Sequence, residues 1–249
     1  MLASRIRAVI AALALAMTAG PASTQDQSGA PAIDPKSPPW SAIGRVNRFG
    51  GEFCTGALIG PRHVLTVAHC LYDRERGQWV DAGDLQFVAG YHRGDFAAQA
   101  LVNEIVVPPG FLPDRPLTGD NLANDWAILI LNSAVGIRPL PWLPIPPGEL
   151  AVRTGDRTAL VRVGYSREQA HVMAAHANCT FVILGDRMLT HDCGVTLDDN
   201  GSPLLLRRNG QLSIVGVSVS VPGAGLGYLG AALPIQSFAA SMNRILGTQ

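Results

Sequence analysis

Four cysteines, arranged as two pairs that are local in sequence, constrain the fold of this 249-residue chain more than any other feature. Cys54 and Cys70 form the first pair, and Cys179 and Cys193 form the second. Four cysteines allow three connectivities. We expect Cys54–Cys70 and Cys179–Cys193 bonds, because each closes a loop of about 15 residues and contributes on the order of 3 kcal/mol. The alternative of a zinc site is disfavoured, because the tight C-x-x-C spacing is missing, and we expect no metal.

The N-terminus has the marks of an export signal. Two arginines precede an apolar run over residues 8–19, which is shorter than the roughly 20 residues that a helix needs to cross a bilayer. Small residues then occupy the positions that a signal peptidase reads. We expect residues 1–22 to be a cleaved signal peptide, with an uncleaved anchor as the alternative, and residues 23–39 to be a flexible leader. The mature protein is then secreted or periplasmic, where disulfides persist.

Composition excludes several classes of protein. The chain has 19 basic and 19 acidic residues, so its formal net charge is +0, and 47% of its residues are hydrophobic. The apolar fraction is too high for disorder, and without a basic excess we expect no nucleic-acid partner and no anionic membrane surface. No later stretch approaches about 18 uninterrupted apolar residues, so we expect no membrane association after signal cleavage.

Short apolar segments separated by Gly, Pro and Asp begin at residue 40 and are typical of β-strands. The first set of candidate strands covers residues 41–46, 53–59, 63–66, 85–89, 100–107 and 126–131, and the second covers residues 159–165, 179–184, 188–191, 203–206, 212–221 and 227–231. A Pro-rich connector, about 139–150, separates a first half (about 40–138) from a second half (about 151–233). Apolar residues at steps of three and four then predict a C-terminal helix over about 234–247.

The most informative motif lies in residues 54–70. It consists of Cys54 and, at its end, the sequence Thr66-Val-Ala-His69-Cys70. This segment resembles the trypsin/chymotrypsin-like serine peptidases, whose general-base His lies in a Thr-Ala-Ala-His-Cys motif and whose neighbouring Cys is bonded to an earlier strand. The resemblance implies that His69 is the general base and that the disulfide beside it steadies its loop.

A second motif, Asn-Asp-Trp-Ala-Ile-Leu at residues 124–129, is similar to the family's Asp-Ile-Ala-Leu-Leu segment. There a buried Asp accepts a hydrogen bond from the His ring, so the resemblance assigns this role to Asp125. A solvated turn aspartate is the alternative. The fold implied is all-β, with two packed six-stranded antiparallel β-barrels, a C-terminal α-helix, and a site in the cleft between the barrels.

The third motif departs from the family. Asp-Asp-Asn-Gly-Ser-Pro-Leu at residues 198–204 matches Gly-Asp-Ser-Gly-Gly/Ser-Pro and puts Asn200 at the position of the nucleophilic Ser. A carboxamide cannot become an alkoxide-like nucleophile. The N–H groups of Asp198 and Asn200 would form the oxyanion hole, but the Asp198 carboxylate disfavours a developing oxyanion. Ser202 is a weaker alternative nucleophile, since the tight turn should direct it elsewhere.

The resemblance is greatest to the bacterial secreted branch, which includes glutamyl endopeptidases. Animal zymogens release an Ile-Val-Gly-Gly start whose amine pairs with the Asp preceding the nucleophile, here Asp199, and this chain has no such start. Gly194 and Ser218 are assigned to the specificity pocket. Gly194 stands where trypsin has Asp, and the strand of Ser218 lacks the His of glutamyl-specific enzymes, so substrate preference stays open.

Two functions follow from the resemblance. The chain is either a catalytically impaired or inactive homologue that binds polypeptide, or an active serine endopeptidase. The remaining histidines have no metal-ligand spacing, and we expect no cofactor, a polypeptide substrate or ligand, and a monomer.

Overall fold

A computed structural model describes residues 33–146, 148–150, 160–193, 199–219 and 230–247. The predicted signal peptide, most of the predicted leader, and the site residues Gly194 and Asp198 lie outside these ranges. In the first half the strands are β1 (Ile43–Arg48), β2 (Phe53–Gly60), β3 (His63–Thr66), β4 (Tyr72–Asp73), β5 (Gln78–Trp79), β6 (Leu85–Ala89), β7 (Ala98–Val106) and β8 (Ala127–Leu131). In the second half they are β9 (Leu160–Gly164), β10 (Ala174–Ala177), β11 (Phe181–Ile183), β12 (Leu189–His191), β13 (Pro203–Arg208), β14 (Gln211–Val219) and β15 (Gly230–Pro234). Helix α1 covers Gly119–Ala123, and helix α2 covers Ala239–Gly247.

The first six long strands close into an antiparallel barrel in the order β1-β2-β3-β8-β7-β6. Gly44 and Gly56 lie opposite each other in the β1–β2 pair. A Cβ atom on Gly44 would lie 2.8 Å from the ring of Phe87, and one on Gly56 would lie 3.5 Å from it. The two glycines therefore leave room inside the barrel for this fully buried aromatic ring.

The second half forms a seven-stranded antiparallel sheet in the order β10-β9-β13-β14-β15-β12-β11, curved into a half-barrel over the described residues. The prediction of an all-β, two-barrel fold with a C-terminal helix is thus confirmed, with seven strands in this sheet where six were expected. The additional strand, β10, has the sequence Ala-Ala-His-Ala. Because alanine has low β-propensity, nothing in the sequence of this segment predicts a strand. The strand forms through its pairing with β9.

The connector contacts both halves. The backbone N–H of Leu140 donates to the carbonyl of Leu58 in β2, and the N–H of Leu143 donates to the carbonyl of Ile214 in β14. Just before the C-terminal helix, Phe238 packs on the first half, where its ring stacks on that of Trp126 with the ring centroids 5.0 Å apart. Helix α2 starts later than predicted, because Pro234 ends β15 and a short 3-10 turn intervenes.

Two local features were not predicted. The β4–β5 hairpin consists of two-residue strands, which are too short to show alternation. The end of the predicted leader contacts the first barrel, because Lys36 Nζ lies 2.5 Å from Asp95 Oδ2. A Cβ atom on Gly90 would lie 2.4 Å from the carbonyl oxygen of Pro35, which shows how closely this segment approaches the barrel.

Candidate active site

His69 lies directly after β3, on a short 3-10 turn formed by Ala68–Leu71. The turn is held from two sides, since Ala68 and Leu71 are buried and Cys70 is bonded to Cys54 of β2. The imidazole is 15% exposed, and its Nε2 atom lies 3.8 Å from Cys70 Sγ. This disulfide and the Cys179–Cys193 bond are the pairs expected from the sequence.

Asp125 holds His69 at two points. Its carboxylate is fully buried, accepts the backbone N–H of His69 at Oδ1 (2.8 Å), and lies 2.6 Å from the ring Nδ1 at Oδ2. The β3–β8 register, which pairs Thr66 with Ala127, brings the two residues together. A carboxylate can only accept, so Nδ1 carries the proton and the Nε2 lone pair is left on the other side of the ring.

A contact from the second sheet supports the segment before Asp125. The guanidinium of Arg187 donates to Asp120 Oδ1 and to Asn124 Oδ1, both at 3.1 Å. The backbone N–H of Asp125 donates to the carbonyl of Leu122 at the end of α1. Helix α1, which was not predicted, therefore sets the start of β8.

Asn200 lies on the turn before β13, and it lines the same groove as His69. Its carbonyl accepts the backbone N–H of Thr55 across the two barrels at 2.9 Å. The next residue, Gly201, has φ +80°, and a Cβ atom there would lie 2.1 Å from the carbonyl oxygen of Thr55. Only glycine fits this close approach, and it fixes the turn that carries the Asn200 side chain.

Ser202 lies inside the interface between the barrels. It is 0% exposed, its Oγ lies 3.3 Å from Thr55 Oγ1, and a Cβ atom on Gly164 would lie 2.0 Å from that Oγ. Thr55 Oγ1 also accepts the backbone N–H of Tyr165 at 2.9 Å. The Ser202 hydroxyl is thus packed between β2 and β9 and does not line the groove that contains His69.

Sequence reasoning missed a buried ion pair at Asp199, the residue that precedes Asn200. Arg162 Nη1 lies 2.5 Å from Asp199 Oδ2, and the two side chains are only 3% and 7% exposed. The Nε–H of Arg162 also donates to the carbonyl of Cys193 at 2.8 Å. The only sequence signal was a single Arg within the apolar segment Leu-Val-Arg-Val-Gly of β9.

A buried histidine stands next to the predicted pocket residue Ser218. His191 of β12 accepts the backbone N–H of Cys193 at Nδ1 (3.3 Å), and its Nε2 lies 3.4 Å from Ser218 Oγ. Burial, and then the positive charge of Arg162, lower the pKa of His191 to about 4. The strand of Ser218 has no His of its own, but the fold brings one from the neighbouring hairpin.

A groove of about 850 Å³ runs past His69, Asn200 and the Cys54–Cys70 disulfide. This volume is in the range of ligand sites. Within the described ranges, no group of three or more His, Cys, Asp or Glu residues could hold a metal ion. No helix in this part of the chain has the length and apolar character that crossing a membrane requires. The arrangement can orient and polarise a His ring and bind a ligand alongside it.

Sequence comparison finds relatives that are 26% to 28% identical to this chain over the aligned residues. Mouse neutrophil elastase is 26% identical over 256 residues, which covers 95% of this chain and 89% of the elastase. Human granzyme M is 27% identical over 161 residues (63% of this chain and 56% of the granzyme), and pig azurocidin is 28% identical over 169 residues (66% and 63%).

The fold is similar to those of solved proteases. A Glu endopeptidase superposes with a TM-score of 0.64 at 19% identity, covering 87% of this chain and 95% of the endopeptidase. The VesB protease of Vibrio cholerae gives a TM-score of 0.62 at 19% identity, covering 83% of this chain and 64% of VesB. The profile named Trypsin matches residues 27–241. The chain therefore belongs to the trypsin family of chymotrypsin-like serine peptidases and their homologues.

Proposed function

We propose that this protein is a secreted trypsin-family homologue that binds polypeptide in the cleft between its barrels without hydrolysing it. The observation that carries the proposal is the position of Asn200, which lines the same groove as His69, the residue that Asp125 orients. In an active member of this family, the residue at that point supplies the hydroxyl that His deprotonates.

The chemistry of the carboxamide supports the absence of cleavage. The nitrogen lone pair of Asn200 is delocalised into its carbonyl, so His69 has no hydroxyl there from which to remove a proton. Asp125 keeps His69 in the tautomer that would serve as a base. The base is thus oriented but lacks a nucleophile. Asp198 stands in the sequence where the family motif has Gly, and a carboxylate at that position would oppose an oxyanion.

The burial of Ser202 weighs against the alternative of an active endopeptidase. Its hydroxyl is 0% exposed and contacts Thr55 between the barrels. To act as a nucleophile it would have to leave that interface, and Gly201, whose φ is +80°, would have to take another conformation. Such a rearrangement would also break the contact between the Asn200 carbonyl and the Thr55 N–H.

Labelling with a fluorophosphonate probe tests the proposal. In a reactive serine, the Oγ–P bond forms, fluoride leaves, and His takes the hydroxyl proton. We expect no labelling of the natural protein, and labelling of a variant that combines Asn200→Ser with Asp198→Gly. Adding His69→Ala to that variant is the matched control and should abolish its labelling. Labelling of the natural protein that disappears in Ser202→Ala would overturn the proposal.

Polypeptide as the ligand is supported by the family and by the groove. The relatives include an elastase, and the structural neighbours include an endopeptidase. The two disulfides support an extracellular or periplasmic location. We expect fluorescent peptides to bind the purified mature protein with an affinity that falls when Asn200→Trp fills the groove. Unchanged affinity in that variant would place the ligand elsewhere.

A further inference from the structure

The Cys54–Cys70 disulfide forms part of the groove wall beside His69. Both of its cysteines are partly exposed, whereas Cys179 and Cys193 of the other disulfide are only 5% and 1% exposed. We propose that the groove disulfide exchanges with the thiol of a bound ligand and so captures that ligand covalently as a mixed disulfide. The inference rests on the proposed polypeptide-binding function and assigns its ligand a chemical class, which is polypeptides with a cysteine thiol.

Access distinguishes the two disulfides. Thiol–disulfide exchange requires a thiolate to reach one sulfur of the bond, so its rate depends on exposure. The groove that both Cys54 and Cys70 line has a volume of about 850 Å³, which leaves room for a ligand against the bond. The Cys179–Cys193 bond instead lies within a cluster of buried apolar side chains. The same molecule therefore contains an accessible disulfide and a protected one.

His69 makes Cys70 the better leaving group of the pair. Its Nε2 atom lies 3.8 Å from Cys70 Sγ, within hydrogen-bonding reach of a sulfur atom. The buried carboxylate of Asp125, 2.6 Å from Nδ1, stabilises the ring when Nε2 also takes a proton. An imidazolium beside a thiol favours the thiolate, and a thiol of lower pKa leaves faster. The ligand thiolate therefore attacks Cys54 and expels Cys70.

The exchange balances without a further oxidant or reductant. The ligand thiolate forms a bond to Cys54 Sγ, the bond between the two protein sulfurs breaks, and its electron pair remains on Cys70 Sγ. This thiolate shares a proton from solvent with His69 Nε2. One disulfide is consumed and one is formed. Attack of the Cys70 thiolate on Cys54 reverses the steps and releases the ligand, so the capture is reversible.

The local fold keeps His69 in place when the bond opens. Asp125 accepts the backbone N–H of His69 at 2.8 Å as well as contacting its ring. The 3-10 turn that carries His69 also has a buried residue at each end. On the other side of the bond, Cys54 lies within β2 and pairs with β1. The ring therefore stays beside the expelled Cys70 sulfur.

The test measures mixed-disulfide formation with the full-length mature protein, its disulfides intact. The probe is a pool of fluorescein-labelled dodecapeptides with one central cysteine and randomised flanks, and a second pool has serine in place of the cysteine. Samples are quenched with N-ethylmaleimide, which alkylates free thiols, and mass spectrometry locates both modifications. We expect the peptide on Cys54 and the alkyl group on Cys70, with the Cys179–Cys193 bond intact.

Two comparisons test the mechanism. At equal thiol concentration, the cysteine pool should react faster than N-acetylcysteine amide, because binding in the groove holds the thiol near the bond. His69→Ala should slow the reaction of both thiols about tenfold, because the expelled sulfur loses its imidazole partner. The small thiol shows that this loss is chemical and does not come from weaker peptide binding. His171→Ala is the matched control, since this exposed histidine contacts Tyr91, and it should leave both rates unchanged. Circular dichroism verifies that each variant is folded.

The outcomes separate this inference from the proposed function. Anisotropy that shows binding of the serine pool, together with no adduct of the cysteine pool or an adduct at Cys179 or Cys193, would overturn the capture and leave polypeptide binding intact. An adduct on Cys70, or an unchanged rate in His69→Ala, would also overturn the inference. No binding of the serine pool, with the cysteine pool no faster than the small thiol, would contradict the proposed function and the polypeptide class together.

Discussion

Replacing Arg162 by methionine should strongly destabilise the protein. The substitution keeps the length and apolar stem of the side chain but leaves the Asp199 carboxylate, 7% exposed, without its cation, which lies 2.5 Å away in the natural protein. Breaking a buried ion pair by removing one partner costs about 3–5 kcal/mol. The carbonyl of Cys193 also loses its 2.8 Å donor. For a domain of this size, such a loss lowers Tm by about 10 °C.

Urea unfolding with the disulfides intact, followed by circular dichroism, measures the free energy of unfolding. It is applied to the natural protein, to Arg162→Met, to Asp199→Asn and to the variant that combines both substitutions. The double variant should be more stable than the sum of the two single losses by about 2 kcal/mol, because it no longer contains an uncompensated buried charge. Arg187→Met is the matched control, since Arg187 and Asp120 are 45% and 95% exposed, and it should cost less than about 1 kcal/mol. A loss below about 1 kcal/mol in Arg162→Met, or strict additivity in the double variant, would refute the reasoning.

Three further predictions concern the residues around the site. His191 has a folded-state pKa of about 4, below its ordinary 6.5. The unfolded chain therefore binds more protons between these values, and urea unfolding should show stability falling by about 2–3 kcal/mol from pH 7.5 to pH 4.5, a slope that His191→Gln should reduce. Gly201→Ala should lower Tm far more than Gly210→Ala, because both glycines have positive φ but only at Gly201 would the new Cβ meet backbone, at 2.1 Å; equal shifts would contradict the steric argument. Thr55→Val should cost about 1–3 kcal/mol in the same unfolding assay, because the buried N–H of Tyr165 loses its 2.9 Å acceptor; a neutral effect would mean that this N–H finds another partner.

The outline of the fold was predictable because its signals are local. Six of the candidate strands correspond to β1, β2, β3, β6, β7 and β8 of the first barrel, and each combined β-branched or apolar residues with turn residues at its ends. This dependence on local signals also explains why two elements were not predicted. Strand β10 and helix α1 are short segments that exist through their contacts with neighbouring elements, so nothing in their own composition predicts them.

For the candidate site, the sequence by itself determined which residues are available: a His beside a Cys, an Asp before an apolar strand, and an Asn at the position that we align with the nucleophilic Ser of the family motif. The structure adds the two-point contact between His69 and Asp125, and their catalytic roles stay a prediction.

Only the tertiary structure decided how distant residues meet. It buried the Ser202 hydroxyl against Thr55 and placed Arg162 against Asp199. It also brought arginines from both halves to one groove. These contacts join strands and turns that are far apart along the chain, and their geometry depends on how two barrels pack. Sequence spacing carries no record of that packing, because each partner has an ordinary local environment until the barrels come together.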